Sequence, residues 1–453
     1  MSTHAEASTA GAVSVAVPTR RGIAISSIVL LIEGAVRLTV TAGISFWIAH
    51  ALGPSQFGVL NFASALMAIF LAVATLGLEV PAVLRLARSQ QHGRTLGTLL
   101  ALRGGAALVA LIGVAAIGFV VKRDEPQTLA VTLVAGLAIV GYVPSVLDYW
   151  FKAHVDALAP ALARMFTTLI AAAAKWAVIE WDLGLVALAW TVVLEAVTQS
   201  ILMSLAWRHA TRESRNDALR VDLVLARSLA RESVPYLGTM VAIMLYMKCD
   251  VVLLGLLSTH EQTGLFTLVQ KLSEALYIVP VVLVDSVYPA LARRVSSAVA
   301  QGPERDQLLF DLAVGAAIVV AVVAVLVSAP VVRFVFGLAY EASIPLFWLH
   351  AWTCIAIALD TARHRWLATS GLQMYAPRLA VFGAVVSLAL NVVLIPIWGA
   401  WGAAVAAVTA HAASGLFATF AFTALRAAGR MQLRSLWPWG RLARLALDAR
   451  RAS

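Results

Sequence analysis

The sequence predicts an all-α polytopic membrane protein of about twelve transmembrane helices, arranged as two six-helix lobes. Three observations predict it. The 453 residues are 61% hydrophobic and only 13% charged, with a mean hydropathy of +0.87, where soluble domains run at about 45–50% apolar and about 25% charged. Twelve apolar stretches reach the roughly 17–25 residues that a bilayer crossing needs. Most of the 34 basic residues collect in alternate connections between those stretches, as the positive-inside rule requires.

Taken in order, span one (23–50) is apolar but carries Glu33 and Arg37, and "LGPSQFGVL" (52–60) closes the turn after it with Gly53, Pro54 and Gly58. Span two (57–79) ends at "VPAVLRLAR" (80–88). Span three (95–121) ends at Lys122 and Arg123, and span four (127–147) returns. Span five (161–181) holds Lys175 beside Trp176, and span six (183–207) holds Glu195. The hydrophilic stretch 208–233 follows, with leucines and valines spaced among arginines as suits a helix on the inner membrane surface. Span seven (234–257) carries Lys248 and Asp250, and span eight (264–289) carries Lys271, Glu274 and Asp285. Span nine (308–337) is long for one crossing and contains Pro330, so part of it is expected to tilt or lie at the interface. Span ten (341–369) carries Asp360, while spans eleven (378–398) and twelve (400–425) are joined by a short Pro and Gly turn.

These boundaries give five regions: a disordered tail (1–22), an N-terminal lobe (23–207), a cytoplasmic linker (208–233), a C-terminal lobe (234–426) and a basic tail (427–453). The net charge of +10 follows the membrane and calls for no nucleic acid. Both termini are expected in the cytoplasm. Cys249 and Cys354 lie inside apolar stretches without metal-ligand spacing, so they read as small buried hydrophobes, and neither metal nor cofactor is expected.

The halves resemble each other internally. "LGPSQFGVL" is echoed by "LLSTHEQTGLF" (256–266), aligning Gly58 on Gly264, and "VPAVLRLAR" by "YPALARRVS" (288–296), aligning Pro81 on Pro289. Six spans per copy keep the copies in the same orientation, which places a pseudo-two-fold axis along the membrane normal and a cavity between the lobes.

An ionisable side chain at the bilayer centre costs at least ~2.5–3.5 kcal/mol, so it is paired or faces water. Glu33 and Arg37 are one turn apart and can neutralise each other, either locking span one to a neighbour or lining a cavity. Lys271 and Glu274 are neighbours by the same rule, and Asp285 returns close to their face. Lys248 and Asp250 point to opposite sides, so at least one needs a partner on another helix or a wet cavity. Lys175 either snorkels to the interface or faces the cavity. Lined into a cavity, Arg37, Lys248 and Lys271 attract an anion such as a pyrophosphate or an acidic sugar, and Glu33, Asp250, Glu274, Asp285 and Asp360 are candidates for a coupling proton or Na⁺.

"ALGPSQFGVLNFASAL", "DVVLLGLLSTHEQTGLFTLVQKLSEALYIVPVVLVDSVYPAL" and "ALNVVLIPIWGAWGAAVAAV" together resemble the Wzx-type polysaccharide transporters. These are the oligosaccharide flippases of the multidrug/oligosaccharidyl-lipid/polysaccharide exporter superfamily, and the likeness covers nearly the whole chain. It implies a V-shaped, alternating-access protein of the bacterial inner membrane that moves undecaprenyl-pyrophosphate-linked oligosaccharide to the outer leaflet for O-antigen or exopolysaccharide assembly. A polysaccharide polymerase is an implied partner. The resemblance puts Asp250 at a position where relatives carry an acid, and Asn391 before the turn that Gly402 completes, both glycine and asparagine read as structural. A cation-coupled drug exporter of the same superfamily is the alternative. A polymerase or ligase would need a sizeable outer loop bearing catalytic groups, which these short loops do not offer, so no enzyme activity is expected.

Overall fold

The computed structural model describes residues 20–88, 91–212, 218–293, 303–441 and 443. Most of the expected N-terminal tail, the second repeat landmark beyond residue 293, and all but one residue of the basic tail after 441 lie outside them. Among the described residues the chain forms helices and no strand. In the first half these are α1 (Arg20–Ala74), α2 (Glu79–Arg88), α3 (His92–Val121), α4 (Pro126–Gly141), α5 (Asp148–Ala153), α6 (Leu158–Glu180) and α7 (Gly184–Ala210). The second half contributes α8 (Leu223–Leu257), α9 (His260–Arg293), α10 (Pro303–Val331), α11 (Ser343–His350), α12 (Thr353–Thr369), α13 (Ala376–Trp398), α14 (Ala400–Gly415) and α15 (Arg426–Ser435).

Eleven of these stretches are long and apolar enough to cross a membrane, and the first, Val29–Ala74, has 46 residues. At 1.5 Å per residue that is roughly 69 Å, twice the hydrocarbon thickness of about 30 Å. It holds two spans. They meet at Gly53, whose φ of 70° and ψ of 173° break the helix in a conformation that a side chain with Cβ rarely adopts. The protein is therefore a multi-pass membrane protein, with twelve candidate crossings among the described residues. The excess length of span nine is explained as well: α10 ends at Val331, and a π-turn (Val332–Phe336) and a short 3₁₀ turn (Leu338–Tyr340) carry the chain over to α11.

One expectation is corrected. The stretch 208–233 does not form a separate surface helix: it supplies the end of α7 and, from Leu223, the first turns of α8. Asp222 caps α8 by accepting from the amides of Val224 and Leu225 at 2.8 and 2.9 Å, so the helix starts eleven residues before the apolar stretch does. An aspartate N-cap satisfies otherwise orphaned amides whatever the hydropathy of the turn that follows.

The apolar residues pack into three cores. The largest joins the two halves at the arginine-poor end, bringing Ile48, Phe57 and Phe62 together with Leu254, Phe266 and Tyr340. At the arginine-rich end the halves keep separate cores, one built around Leu86, Leu96 and Phe151, the other around Phe310, Leu359 and Leu425. The two halves thus form a V closed at the arginine-poor end.

The apex of the V is a reciprocal backbone contact. A methyl group on Gly58 would run into the carbonyl oxygen of His260, and one on Gly264 into the carbonyl oxygen of Pro54. Pro54 and Gly58 stand at the same sequence offset from His260 and Gly264. Residue i touching j while j touches i is the mark of a two-fold contact, so the pseudo-two-fold axis passes between the two glycines. The Tyr340 hydroxyl adds a bond to the Ala49 carbonyl at 2.9 Å, and Phe46 meets Phe336 edge-on with ring centroids 5.3 Å apart.

α8 straddles the halves. Its first turns belong to the N-terminal half: the Asp222 amide donates to Thr98 Oγ1 at 3.0 Å, Asp222 pairs with Arg94, and Leu229 is part of the core around Leu86. Past Pro235 the helix joins the C-terminal half, with Cys249 Sγ 3.4 Å from Ser387 Oγ and the Met247 carbonyl accepting from Gln270 at 3.1 Å.

The first part of the basic C-terminal region is folded onto protein. Gln432 donates to the Gly415 carbonyl at 2.7 Å, and Arg441 makes a two-pronged bond to Asp311 at 2.6 and 2.8 Å. That hydrogen bond to Asp311 raises the Arg441 pKa.

Overpacking a tight contact costs about 1–3 kcal/mol. Gly58→Leu and Gly264→Leu are each expected to lower the melting temperature of the purified protein by a shift of that size. The double variant is expected to fall short of their sum because both relieve one shared crossing, and a full additive loss in thermal unfolding would show two independent contacts.

Candidate functional site

Charged side chains enter the apolar interior in three places, and each set is assembled from helices far apart in sequence. The first lies in the N-terminal half. Arg37 Nε donates to Glu33 Oε1 at 3.1 Å, and Arg164 Nε reaches the same oxygen at 3.4 Å. Arg164 continues to Asp148 at 3.4 Å, Asp148 accepts from Lys152 at 3.2 Å, and Lys152 donates to Glu79 at 2.7 Å. This is an unbroken alternation of three cations and three anions over α1, α6, α5 and α2. Glu33 is nearly buried at its centre while Arg37 remains 58% exposed. The pair one turn apart on span one is thus both anchored to a neighbouring helix and open on one side. A pocket of about 380 Å³ lies beside the chain, bordered by Arg37, Arg103, Lys152, Arg164 and Glu195.

The second set lies where the halves face each other. Lys175 donates to Glu195 at 2.8 Å, and Lys248 pairs with Glu274 at 3.6 Å. Glu274 is thereby taken by Lys248 rather than by Lys271, its neighbour along α9. Among the described residues Lys271 has neither a hydrogen bond nor an ion pair, yet the charges of Lys248, Glu274 and Lys175 all act on it. Three lysines from α6, α8 and α9 thus gather with Glu195 and Glu274, and the charge of Lys248 acts on Asp250 as well.

The third set is a cavity of about 540 Å³ within the C-terminal half, lined by Tyr246, Asp250, Gln270, Glu274, Asp360 and His411 among others. Asp250 is 6% exposed. It accepts from the Val251 amide at 2.8 Å and from Gln270 Nε2 at 3.5 Å, and among the described residues no cation lies within ion-pair distance. Asp360 pairs with Arg363 and lies 3.4 Å from His364 Nε2. Tyr246 and His411 share a 2.6 Å hydrogen bond.

Other expected site residues fall elsewhere. Asp285 does not line this cavity: it forms an exposed pair with Arg365 at 2.6 and 2.9 Å. It sits near the end of α9, where water is within reach, so facing the same side as Glu274 does not bring it to the same depth. Asn391 is structural but is not part of the turn; fully buried in α13, it donates to the Ser387 carbonyl at 2.8 Å beside Cys249. Gly402 backs onto the Leu394 carbonyl, and the turn is held by Gln262 Oε1, which accepts from the Ala400 amide at 3.0 Å. Arg363 lies on α12 one turn beyond Asp360. Fully buried, it donates to the Ser414 carbonyl at 2.7 Å and the Gly415 carbonyl at 3.2 Å, a cation closing the C-terminus of α14.

Sequence reasoning missed Arg103, Asp148 and the His260–Glu125 contact. The signal for Arg103 is a lone arginine within the third apolar stretch; the other two have none, because their partners come from distant helices. His260 on α9 bonds Glu125 of the α3–α4 connection across the two halves. Thr128 Oγ1 lies 3.3 Å from the same imidazole nitrogen, and Lys122 donates to Glu125 at 3.0 Å. The latch stands beside the Gly58–Gly264 crossing. Burial alone would raise the Glu125 pKa, but the bonds from His260, Lys122 and Thr128 prevail and lower it to about 2.

A family model described as "Polysaccharide biosynthesis protein" matches residues 26–295. No curated protein matches in sequence. In fold the chain is similar to the lipid II flippase MurJ in an inward closed conformation, with a TM-score of 0.68 and 12% identity over 91% of each chain. It is also similar to the inward-facing conformation of a multidrug resistance MATE family transporter of the MOP superfamily, with a TM-score of 0.62 and 12% identity over 91% of this chain and 96% of the other. At such identities the likeness is one of fold.

The depressed Glu125 carboxyl fixes the sign of one pH effect. An unperturbed glutamate titrates near about 4.3, so the latch contributes stability at all pH values above that and loses it as pH falls towards about 2. The melting-temperature difference between the native protein and Glu125→Gln is therefore expected to shrink as pH falls below about 4. A difference that stays undiminished from about pH 4 down to about pH 2 would show that the ionised carboxylate does not hold the latch.

Proposed function

The chain belongs to the polysaccharide biosynthesis protein family, and from that premise we propose that it is a flippase for undecaprenyl-pyrophosphate-linked oligosaccharide. It carries the lipid-linked unit from the inner to the outer leaflet of the bacterial inner membrane, for O-antigen or exopolysaccharide assembly. The observation that carries the reading is Lys271, a half-buried cation that has neither hydrogen bond nor ion pair among the described residues and lies near the Lys175–Glu195 and Lys248–Glu274 pairs. A pyrophosphate and several sugars cannot enter hydrocarbon without hydrogen-bond partners, so they need a polar, positively charged cleft. The polyprenyl chain stays in lipid.

The arginine-rich end faces the cytoplasm by the positive-inside rule, which puts both termini there and makes the sealed end the outer one. In this conformation the cleft takes cargo from the cytoplasm. Lys271 lies eleven residues along α9 from His260, roughly 16 Å from the sealed end, so the positive charge draws an anionic head group towards the apex of the V. Release follows when the apex parts and the cytoplasmic ends close, with no covalent chemistry. Arg37 offers a further cation on the cleft side of α1. Asp250, a buried carboxylate with no cation within ion-pair distance among the described residues, is the acid that a coupling proton or Na⁺ would neutralise, with Asp360 in the same cavity. The product is delivered where a polysaccharide polymerase would use it.

A second reading has an observation in its favour. The C-terminal cavity, with Tyr246, Tyr277 and Met247 beside Asp250 and Asp360, has the acidic and aromatic lining that suits an organic cation, and the fold is shared with a multidrug transporter.

The deciding measurement is the leaflet distribution of undecaprenyl-linked oligosaccharide in cells with and without the protein. Loss of the protein is expected to trap the lipid-linked unit on the cytoplasmic face. Lys271→Gln is expected to slow its passage about tenfold, the equivalent of one charge-assisted hydrogen bond of about 1.5 kcal/mol. Unchanged passage, together with accumulation of a cationic dye in the deletion strain, would overturn the flippase reading in favour of drug export.

A further inference from the structure

The pocket in the N-terminal half carries a charge that no carboxylate among the described residues answers. Of the basic residues that line it, Arg37, Lys152 and Arg164 belong to the alternating chain with Glu33, Asp148 and Glu79, which is neutral as a whole. Glu195, also on the wall, is matched by Lys175. Arg103 is left over. It is 6% exposed, and its one hydrogen bond is to the Tyr149 hydroxyl at 3.5 Å, beyond the usual 2.7–3.2 Å range. Among the described residues no carboxylate lies within ion-pair distance of it; Glu79, the acid whose charge acts on it, is already bonded to Lys152.

A desolvated guanidinium with a single neutral contact is costly, and buried charges are ordinarily paired. The pocket, about 380 Å³ in volume, has ample room for the missing partner. Its rim is formed by Arg37 and Glu195, both partly exposed, and its floor by Arg103 and Tyr149, both buried. A guanidinium presents a planar fork of donors that matches the paired oxygens of a carboxylate or phosphate.

We infer that this pocket is an oxyanion subsite in which Arg103 binds a carboxylate or phosphate group, with Tyr149 as a second donor. It adjoins the lysine cluster between the halves through Glu195, which lies on its wall and pairs with Lys175. Under the flippase reading, on which the source of the anion rests, the pocket takes an acidic group of the cargo while the lysines hold another, so the protein grips the head group at two points. An acidic sugar and a phosphate share this chemistry and are separated by the test.

The test needs no transport. The purified full-length protein in lipid nanodiscs is melted with sodium phosphate, sodium glucuronate, glucose, and sodium chloride at matched ionic strength. Phosphate or glucuronate is expected to raise the melting temperature above the chloride control, while glucose leaves it unchanged. A response to phosphate alone assigns the phosphate end of the cargo, one to glucuronate alone an acidic sugar, and either supports the subsite. Arg103→Gln is expected to lose the anion-induced shift and, without anion, to melt no lower than the native protein, because the substitution removes an unanswered charge. Arg103→Lys keeps the charge without the fork and is expected to show a reduced shift. The inference is overturned if neither anion shifts the native protein, if the shift survives in Arg103→Gln, or if Arg103→Lys shifts as the native protein does. Because the probes are free anions, those failures leave the leaflet measurement untouched. Conversely, a protein that binds the anion but flips no lipid would keep the subsite and lose its assigned source.

Discussion

The architecture turns on the place where Gly58 meets the backbone at His260 and Gly264 meets the backbone at Pro54. Two helices approach this closely only where no side chain intervenes, and the approach occurs at one end of the molecule. Around it gather the joint apolar core, the Tyr340 bond to Ala49 and the His260–Glu125 latch. Everything else about the shape follows: halves fastened at one end and built on separate cores at the other form a cleft between them. The residues available for lining it are the charges that lipid would not accept.

The two halves answer that electrostatic demand differently. The N-terminal half resolves most of its charge internally, through a run of alternating ions that ties four helices together. Such a run resists bending, because moving any one helix leaves at least one neighbour unmatched. The C-terminal half leaves Asp250 with no cation within ion-pair distance among the described residues, in a cavity it shares with Tyr246, His411 and Asp360. One half therefore ties its charges to one another, and the other leaves a carboxylate open. α8 joins them, its capped start fixed to the first and its outer turns to the second.

Much of this was legible in the sequence and some of it was not, for physical reasons. Helix count came from hydropathy, since that reflects the interaction of single residues with the bilayer. The repeat showed through Gly58 and Gly264 because a close crossing tolerates one residue type. Helical spacing correctly brought Glu33 to Arg37, a local geometry. It placed Lys271 beside Glu274 as well, yet Glu274 is bound by Lys248 from another helix, and spacing within one helix carries no information about that rival. The same limit hid the partners of Arg164 and Arg103 and the role of Arg363, whose acceptors are the last carbonyls of α14. The start of α8 was misplaced because an aspartate cap overrode a hydropathy boundary.

The reciprocity of the glycine contact also bears on how a duplicated protein diverges. When two copies of a segment meet across their own axis, each position is judged against its counterpart, so a bulky replacement in either copy damages the same contact. Away from the axis a copy answers only to its own surroundings and is free to drift. A molecule built this way keeps its ancestral symmetry at the hinge and spends its divergence on the arms, and here that divergence has produced an ion-paired arm facing one with a carboxylate left open.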